Sequence, residues 1–161
     1  MYPFGYIQKL PRGNMFELYC DGACYPNPGG LASFGFLLYR DGRLLERGSG
    51  IIGHQHNMNN LNAEYAALSY GLLAIIRHID AASSEAIVYC DSKFVVDQLT
   101  GVCKKIKYAK GRGLLDLHAK LIRSFGVNLN FQWIPRDKNK LADNLARSLR
   151  TVDRTEQGNF S

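Results

Sequence analysis

No stretch of this sequence is apolar for long enough to cross a bilayer, and its first 14 residues, MYPFGYIQKLPRGN, hold no signal-like hydrophobic core. The expectation is a cytoplasmic protein with no membrane partner. The four cysteines (Cys20, Cys24, Cys90 and Cys103) do not fall into zinc-type pairs, so a cysteine-based zinc module is set aside. Reduced, half-buried thiols are what a cytosolic chain would carry. His54 and His56 in the polar stretch GHQHNMNN have no third ligand nearby, which argues against a histidine metal site. Internal repeats and low-complexity segments are also missing. Acids are absent from Lys104 to Arg112, where Lys104, Lys105, Lys107, Lys110 and Arg112 crowd together around Tyr108. Such a run is either a solvated face or a grip on a polyanion, and the net charge of +6 fits the second without requiring it.

What is present is enough for one domain of 161 residues with a real core, at 46% apolar and 21% charged content. Its organising stretch is FELYCDGACYPNPGG, Phe16–Gly30. Phe16, Leu18 and Cys20 alternate with Glu17, Tyr19 and Asp21, a strand pattern that is expected to end at Asp21 before a turn rich in Pro and Gly. An acid opening onto Gly22 and Ala23 suits a metal or phosphate site; an ordinary Asp-Gly turn is the plainer explanation. ASFGFLLYR and RLLERGSGII flank Asp41-Gly42, a strong hairpin signal. From Asn60 to about Ile79 the period becomes helical, and Glu64, Leu68, Gly71, Leu72 and Ile75 share one face. A carboxylate on that packed face has either a task or an escape to water. EAIVYCD forms a second strand ending in an acid, Asp91, followed by the helical SKFVVDQL. A further helix over about 113–125 presents Leu114, Leu117, Leu121 and Ile122 inward. Val127, Leu129, Phe131 and Trp133 alternate in a last strand, and RDKNKLADNLARSLR closes the domain as a helix carrying Asp143. The expected fold is therefore of α/β class: a mixed five-stranded sheet, its first three strands antiparallel, flanked by helices. Residues 1–14 read as an arm, 15–150 as the domain and 151–161 as a frayed polar tail.

LYCDGACYPNPGG, NAEYAAL, YCDSKFVVDQL and NKLADNLA, in this order, resemble the motifs of type 1 ribonuclease H, in its shorter, archaeal-like branch. The resemblance runs from about Phe16 to Leu149. It implies the ribonuclease H-like fold and an endonuclease that cuts the RNA strand of RNA–DNA hybrids, leaving 5′-phosphate and 3′-hydroxyl ends. The chemistry explains why acids are needed: two Mg²⁺ ions about 4 Å apart can generate the nucleophile and hold the leaving oxygen. Mg²⁺ prefers oxygen ligands and keeps several waters, so a few carboxylates suffice, with Mn²⁺ as a substitute.

By the same resemblance Asp21 bridges both ions, Asp143 helps hold the ion that activates water, and Glu64 and Asp91 hold the other. Glu64 also sits near the ribose 2′-hydroxyl, the group that distinguishes RNA from DNA. Cys24, Asn27 and Asn60 match positions that contact the minor groove. Asn59, Asn60 and Ser92 match a pocket gripping a DNA-strand phosphate; a plain helix cap is the other role open to the two asparagines. The implied partners are the RNA–DNA hybrid and, as a second duplex to test, double-stranded RNA, with the protein a monomer.

The sequence departs from the family pattern in places. Many members carry a His in a loop before the last acid; here the loop is IPRDKNK, and Arg136 is the nearest candidate for its role, with a loop-capping surface Arg as the alternative. Leu61 and Lys93 stand where Asn and Gln are common, and there is no room for an additional basic helix, for which Lys104, Lys105 and Lys107 would substitute. Two other functions compete: a binding module on the same fold without catalysis, and another polynucleotidyl transferase. Intact Asp21, Glu64, Asp91 and Asp143 argue against the first, and the DGA turn, the AEY helix start and the compact domain against the second.

Overall fold

A computed structural model describes residues 14–54, 56–103 and 111–156, the side chains of 151–156 excepted. Its strands are β1 (Met15–Tyr25), β2 (Leu31–Arg40), β3 (Arg43–His54), β4 (Glu85–Cys90) and β5 (Asn128–Trp133). Its helices are α1 (Asn60–His78), α2 (Lys93–Leu99), α3 (Arg112–Ser124) and α4 (Lys140–Glu156), with a short 3₁₀ turn at Arg136–Lys138. The strands form a single sheet in the order β3-β2-β1-β4-β5. β1 pairs antiparallel with β2 and β2 with β3, while β4 runs parallel to both β1 and β5. The α/β architecture expected from the sequence is the one observed.

The alternation in β1 and β4 builds the core. Phe16, Leu18 and Cys20 and, on the next strand, Ala86, Val88 and Cys90 point to one face and are fully or almost fully buried. α1 covers them with Leu68, Leu72 and Ile75, and α3 packs on α1. The opposite face receives α4 over β2. There Ser33 Oγ donates to the Ala146 carbonyl at 2.6 Å, and a Cβ on Gly35 would stand 2.6 Å from the Ala142 carbonyl oxygen. The bare glycine lets the helix backbone settle on the strand, and Gly35 is the cross-strand partner of Asp21.

Three details differ from expectation. β1 does not end at Asp21 but continues to Tyr25, because β2 keeps pairing with it; what ends there is the parallel ladder, whose last rung is Cys20 with Cys90. In α3 the buried stripe is Leu115, His118, Ala119 and Ile122, while Leu114, Leu117 and Leu121 face solvent. Both stripes have helical spacing, and the small Ala119 and the hydrogen-bonded His118, whose Nδ1 lies 2.9 Å from Ser69 Oγ, allow the close approach to α1 that leucines would block. Finally, α4 runs through Thr151 to Glu156, into the segment read as a frayed tail. The arm to residue 13 lies outside the described residues.

Candidate active site

The parallel ladder stops at Cys20 and Cys90, so the next residues of the two strands, Asp21 and Asp91, emerge side by side at the carboxyl end of β4. Sheets of this kind bind ligands at such ends. α1 begins above them. Asn59 caps it, its Oδ1 accepting from the Asn62 N–H at 2.9 Å. The first turns then deliver Glu64 to the sheet. Gly22 makes this possible: a Cβ there would lie 2.2 Å from the Ala63 carbonyl carbon and 2.3 Å from the Glu64 nitrogen. Carboxylate oxygens of Asp21, Glu64 and Asp91 come within 4.8 Å of one another. Asp143, in the first turn of α4, completes the group, its carboxyl hydrogen-bonded to that of Asp21.

The electrostatics are those of crowded acids, of which Asp143 is paired with basic side chains and, among the described residues, Asp21 and Glu64 are not. Asp21 is 4% exposed, and burial, then Asp91 and Asp143, push it up to about 8. Burial likewise drives Glu64 well above the carboxylate range, with Asp21 and Asp91 adding to it. The escape of Glu64 to water is therefore not taken. Asp91 is raised chiefly by burial, opposed by the Asn139 amide and the Arg136 charge. Asp143 moves the other way: burial works upward, but the hydrogen bond with Asp21 and the charges of Arg147 and Arg136 outweigh it. Arg147 Nε donates to Asp143 Oδ1 at 2.6 Å and Arg136 Nη2 at 3.4 Å. Cys90 Sγ donates to Glu64 Oε2 at 3.7 Å.

The donor set fits a hard divalent cation. It consists of oxygens alone, burial and mutual repulsion hold Asp21 and Glu64 above their ordinary pKa, and the buried Asp91 Oδ2 has no hydrogen-bond partner among the described residues.

The acids lie in a cleft of about 650 Å³ whose walls include Cys24, Asn60, Ser92, Arg136 and Arg147. Of the residues expected to contact substrate, Cys24, Asn60 and Ser92 line this cleft. The Cys24 N–H donates to Asn60 Oδ1 at 2.9 Å, and the Asn60 N–H to Asn27 Oδ1 at 3.0 Å, which locks the β1–β2 turn onto the start of α1. Asn59 is engaged as the helix cap. Ser92 precedes α2 without using its side chain as a cap. Lys104, Lys105 and Lys107 lie outside the described residues. Cys20 and Cys90 are neighbours on one rung, and both are free thiols. Two residues of this site were not singled out from sequence, Arg147 and Asn139. The spacing of Arg147, four residues after Asp143 on a helix, was the available signal for the first.

Residues 20–149 match the reverse transcriptase-like family. The chain is 34% identical over 130 residues to a bifunctional protein of Mycobacterium tuberculosis, a match covering 78% of this chain and 33% of that protein. It thus spans about a third of the length of that relative. The solved N-terminal RNase H domain of the mycobacterial protein superposes with a TM-score of 0.74 at 28% identity, over 90% of this chain and 99% of that one. LC11-RNase H1, solved in complex with an RNA/DNA hybrid, gives 0.71 at 31% identity, over 83% and 94%. A ribonuclease HI of Synechocystis is 30% identical over 148 residues, covering 83% of this chain and 86% of that protein. The chain belongs to the reverse transcriptase-like family, and within it to the ribonuclease HI group.

Proposed function

We propose that this protein is a metal-dependent endonuclease that hydrolyses the RNA strand of RNA–DNA hybrids, leaving 5′-phosphate and 3′-hydroxyl ends. The observation that carries the proposal is the meeting of Asp21, Glu64 and Asp91 within 4.8 Å, with Asp143 alongside, at the floor of an open cleft. A module that only binds nucleic acid has no use for four mutually repelling acids. The relationship to ribonuclease HI, and the hybrid bound by LC11-RNase H1, supply the substrate class.

Two Mg²⁺ ions, replaceable by Mn²⁺, would supply a hydroxide nucleophile and a counter-charge for the leaving oxygen. Asp21, central in the cluster, would be shared between them; Glu64 and Asp91 would hold one and Asp143 the other. Arg147 and Arg136 keep Asp143 ionised, which suits a carboxylate that orients water. The exposed Arg136 would meet a leaving phosphate. Cys24, Asn27 and Asn60 form one hydrogen-bonded wall for the minor groove of the duplex, and Glu64 reads the 2′-hydroxyl from the floor. Asn59 and Ser92 would hold a phosphate of the DNA strand. In this reading the protein works as a cytoplasmic monomer.

Substrate scope tests the proposal. Matched hybrid, RNA duplex and DNA duplex, each end-labelled, are incubated with the protein and Mg²⁺ and the product ends mapped. Cuts in the RNA of the hybrid with 5′-phosphate ends are expected. Binding without cleavage in either Mg²⁺ or Mn²⁺ would make it a binding module, and cuts in DNA another polynucleotidyl transferase.

A further inference from the structure

One buried side chain beneath the acids has no part in the roles above. Asn139 is 2% exposed, and its Nδ2 donates to the Cys20 carbonyl oxygen at 2.8 Å, across 119 positions of sequence. Its own carbonyl accepts from the Asp143 N–H at 3.1 Å, so it also tethers the first turn of α4. Its amide bears on the Asp91 carboxylate as well, drawing that group's pKa down against burial. A single residue therefore joins the strand position before Asp21 to the turn that carries Asp143, and bears on the Asp91 carboxylate. Its Oδ1 is buried without a partner among the described residues, which costs about 1–3 kcal/mol. Costs of that kind are tolerated where function demands them.

We propose that Asn139 is a positioning residue: it fixes the separation of Asp21, Asp91 and Asp143 so that they accept a divalent cation, without itself touching cation or substrate. Like charges at this distance push apart. With the cross-tie removed, the turn leading into α4 loses its hydrogen bond to the β1 backbone, and the carboxylates spread. The inference rests on the metal-site reading of the preceding subsection.

The test is calorimetric titration of Mg²⁺ into the full chain, wild type against Asn139→Ala, with hybrid cleavage measured over a Mg²⁺ series. Losing an outer partner of metal ligands typically weakens affinity about 10–100-fold, and that loss is expected here. KM for the hybrid should stay unchanged, because the side chain is out of the substrate's reach, and kcat should recover as Mg²⁺ is raised. Unchanged Mg²⁺ affinity in the folded variant overturns the inference. So does a loss of kcat that excess Mg²⁺ does not restore together with a raised KM, the signature of general damage. Should Asn139→Ala fail to fold, Asn139→Ser carries the same expectations, since it keeps the backbone tether but is too short to reach both Cys20 and Asp91. A wild type that takes up no Mg²⁺ overturns the metal-site reading and this inference with it; equal uptake by wild type and variant overturns this inference alone.

Discussion

Gly22→Ala is the smallest change that should separate the two elements carrying Asp21 and Glu64. The added methyl would stand 2.2 Å from the Ala63 carbonyl carbon, 2.3 Å from the Glu64 nitrogen and 2.4 Å from the Ala63 oxygen. Carbon contacts settle at about 3.5–4.0 Å, so β1 and α1 must part by roughly 1 Å or more. All three obstacles are backbone atoms, and no rotamer change relieves them. Overpacking of this kind costs about 1–3 kcal/mol. For a chain of this length that lowers the melting temperature by about 2–4 °C per kcal/mol. The effect on rate should be larger than the effect on stability, because a misplacement near 1 Å in a positioned site costs on the order of 10²-fold. Initial cleavage rates on the hybrid at saturating Mg²⁺, beside thermal melts, measure both. Gly113→Ala is the control, since its Cβ would meet nothing within 4 Å; it should leave the rate unchanged and the melting temperature no lower, because alanine favours the helix it sits in. A Gly22→Ala protein with wild-type kcat would refute the claim that close approach of these backbones sets the site.

Three further outcomes follow from the same geometry. Asp21, held at about 8 against an ordinary 3.8, keeps a proton in the folded, metal-free protein that the unfolded chain has released between those pH values. Its contribution to stability therefore falls as pH rises through that window, and Asp21→Asn should melt above wild type without metal at pH 8 and close to it near pH 4; a gap that does not grow with pH counts against the assignment. Arg136→Ala, which removes an exposed guanidinium 3.4 Å from Asp143, should lower kcat about tenfold, near 1.4 kcal/mol, with KM steady; steady-state kinetics showing full kcat would make it a plain surface residue. Replacing Lys104, Lys105 and Lys107 together by Ala should raise KM and flatten the salt dependence by about one unit of slope for each phosphate left without its lysine, with kcat spared. An unchanged KM would remove the basic run from the substrate path.

Much of the fold was legible because its strands obey the two-residue period and its hairpin is marked by Asp41-Gly42. The acids were legible because each sits in a short local pattern: two strand-borne aspartates beside small or helix-starting residues, and two acids on helical faces. What the sequence hid is of a different kind. The buried stripe of α3 was misassigned because periodicity favours the greasier of two equally spaced rows, and only α1 decides that Ala119 and His118 face inward. β1 outran its expected end because strand length is set by the partner, and β2 does not announce how far it pairs. Asn139 was invisible because its bond to the Cys20 carbonyl joins positions 119 apart. Nothing around residue 139 reports on a strand at the other end of the chain.

The central claim is that these four carboxylates form a metal site that cuts RNA paired to DNA. The most direct measurement is cleavage of an end-labelled RNA–DNA hybrid with and without Mg²⁺, by wild type and by Asp21→Asn, whose melting first shows that it is folded. Cuts in the RNA strand that need Mg²⁺ and vanish in Asp21→Asn are the expected result. Cleavage that persists without divalent metal, or in the folded Asp21→Asn protein, would contradict it.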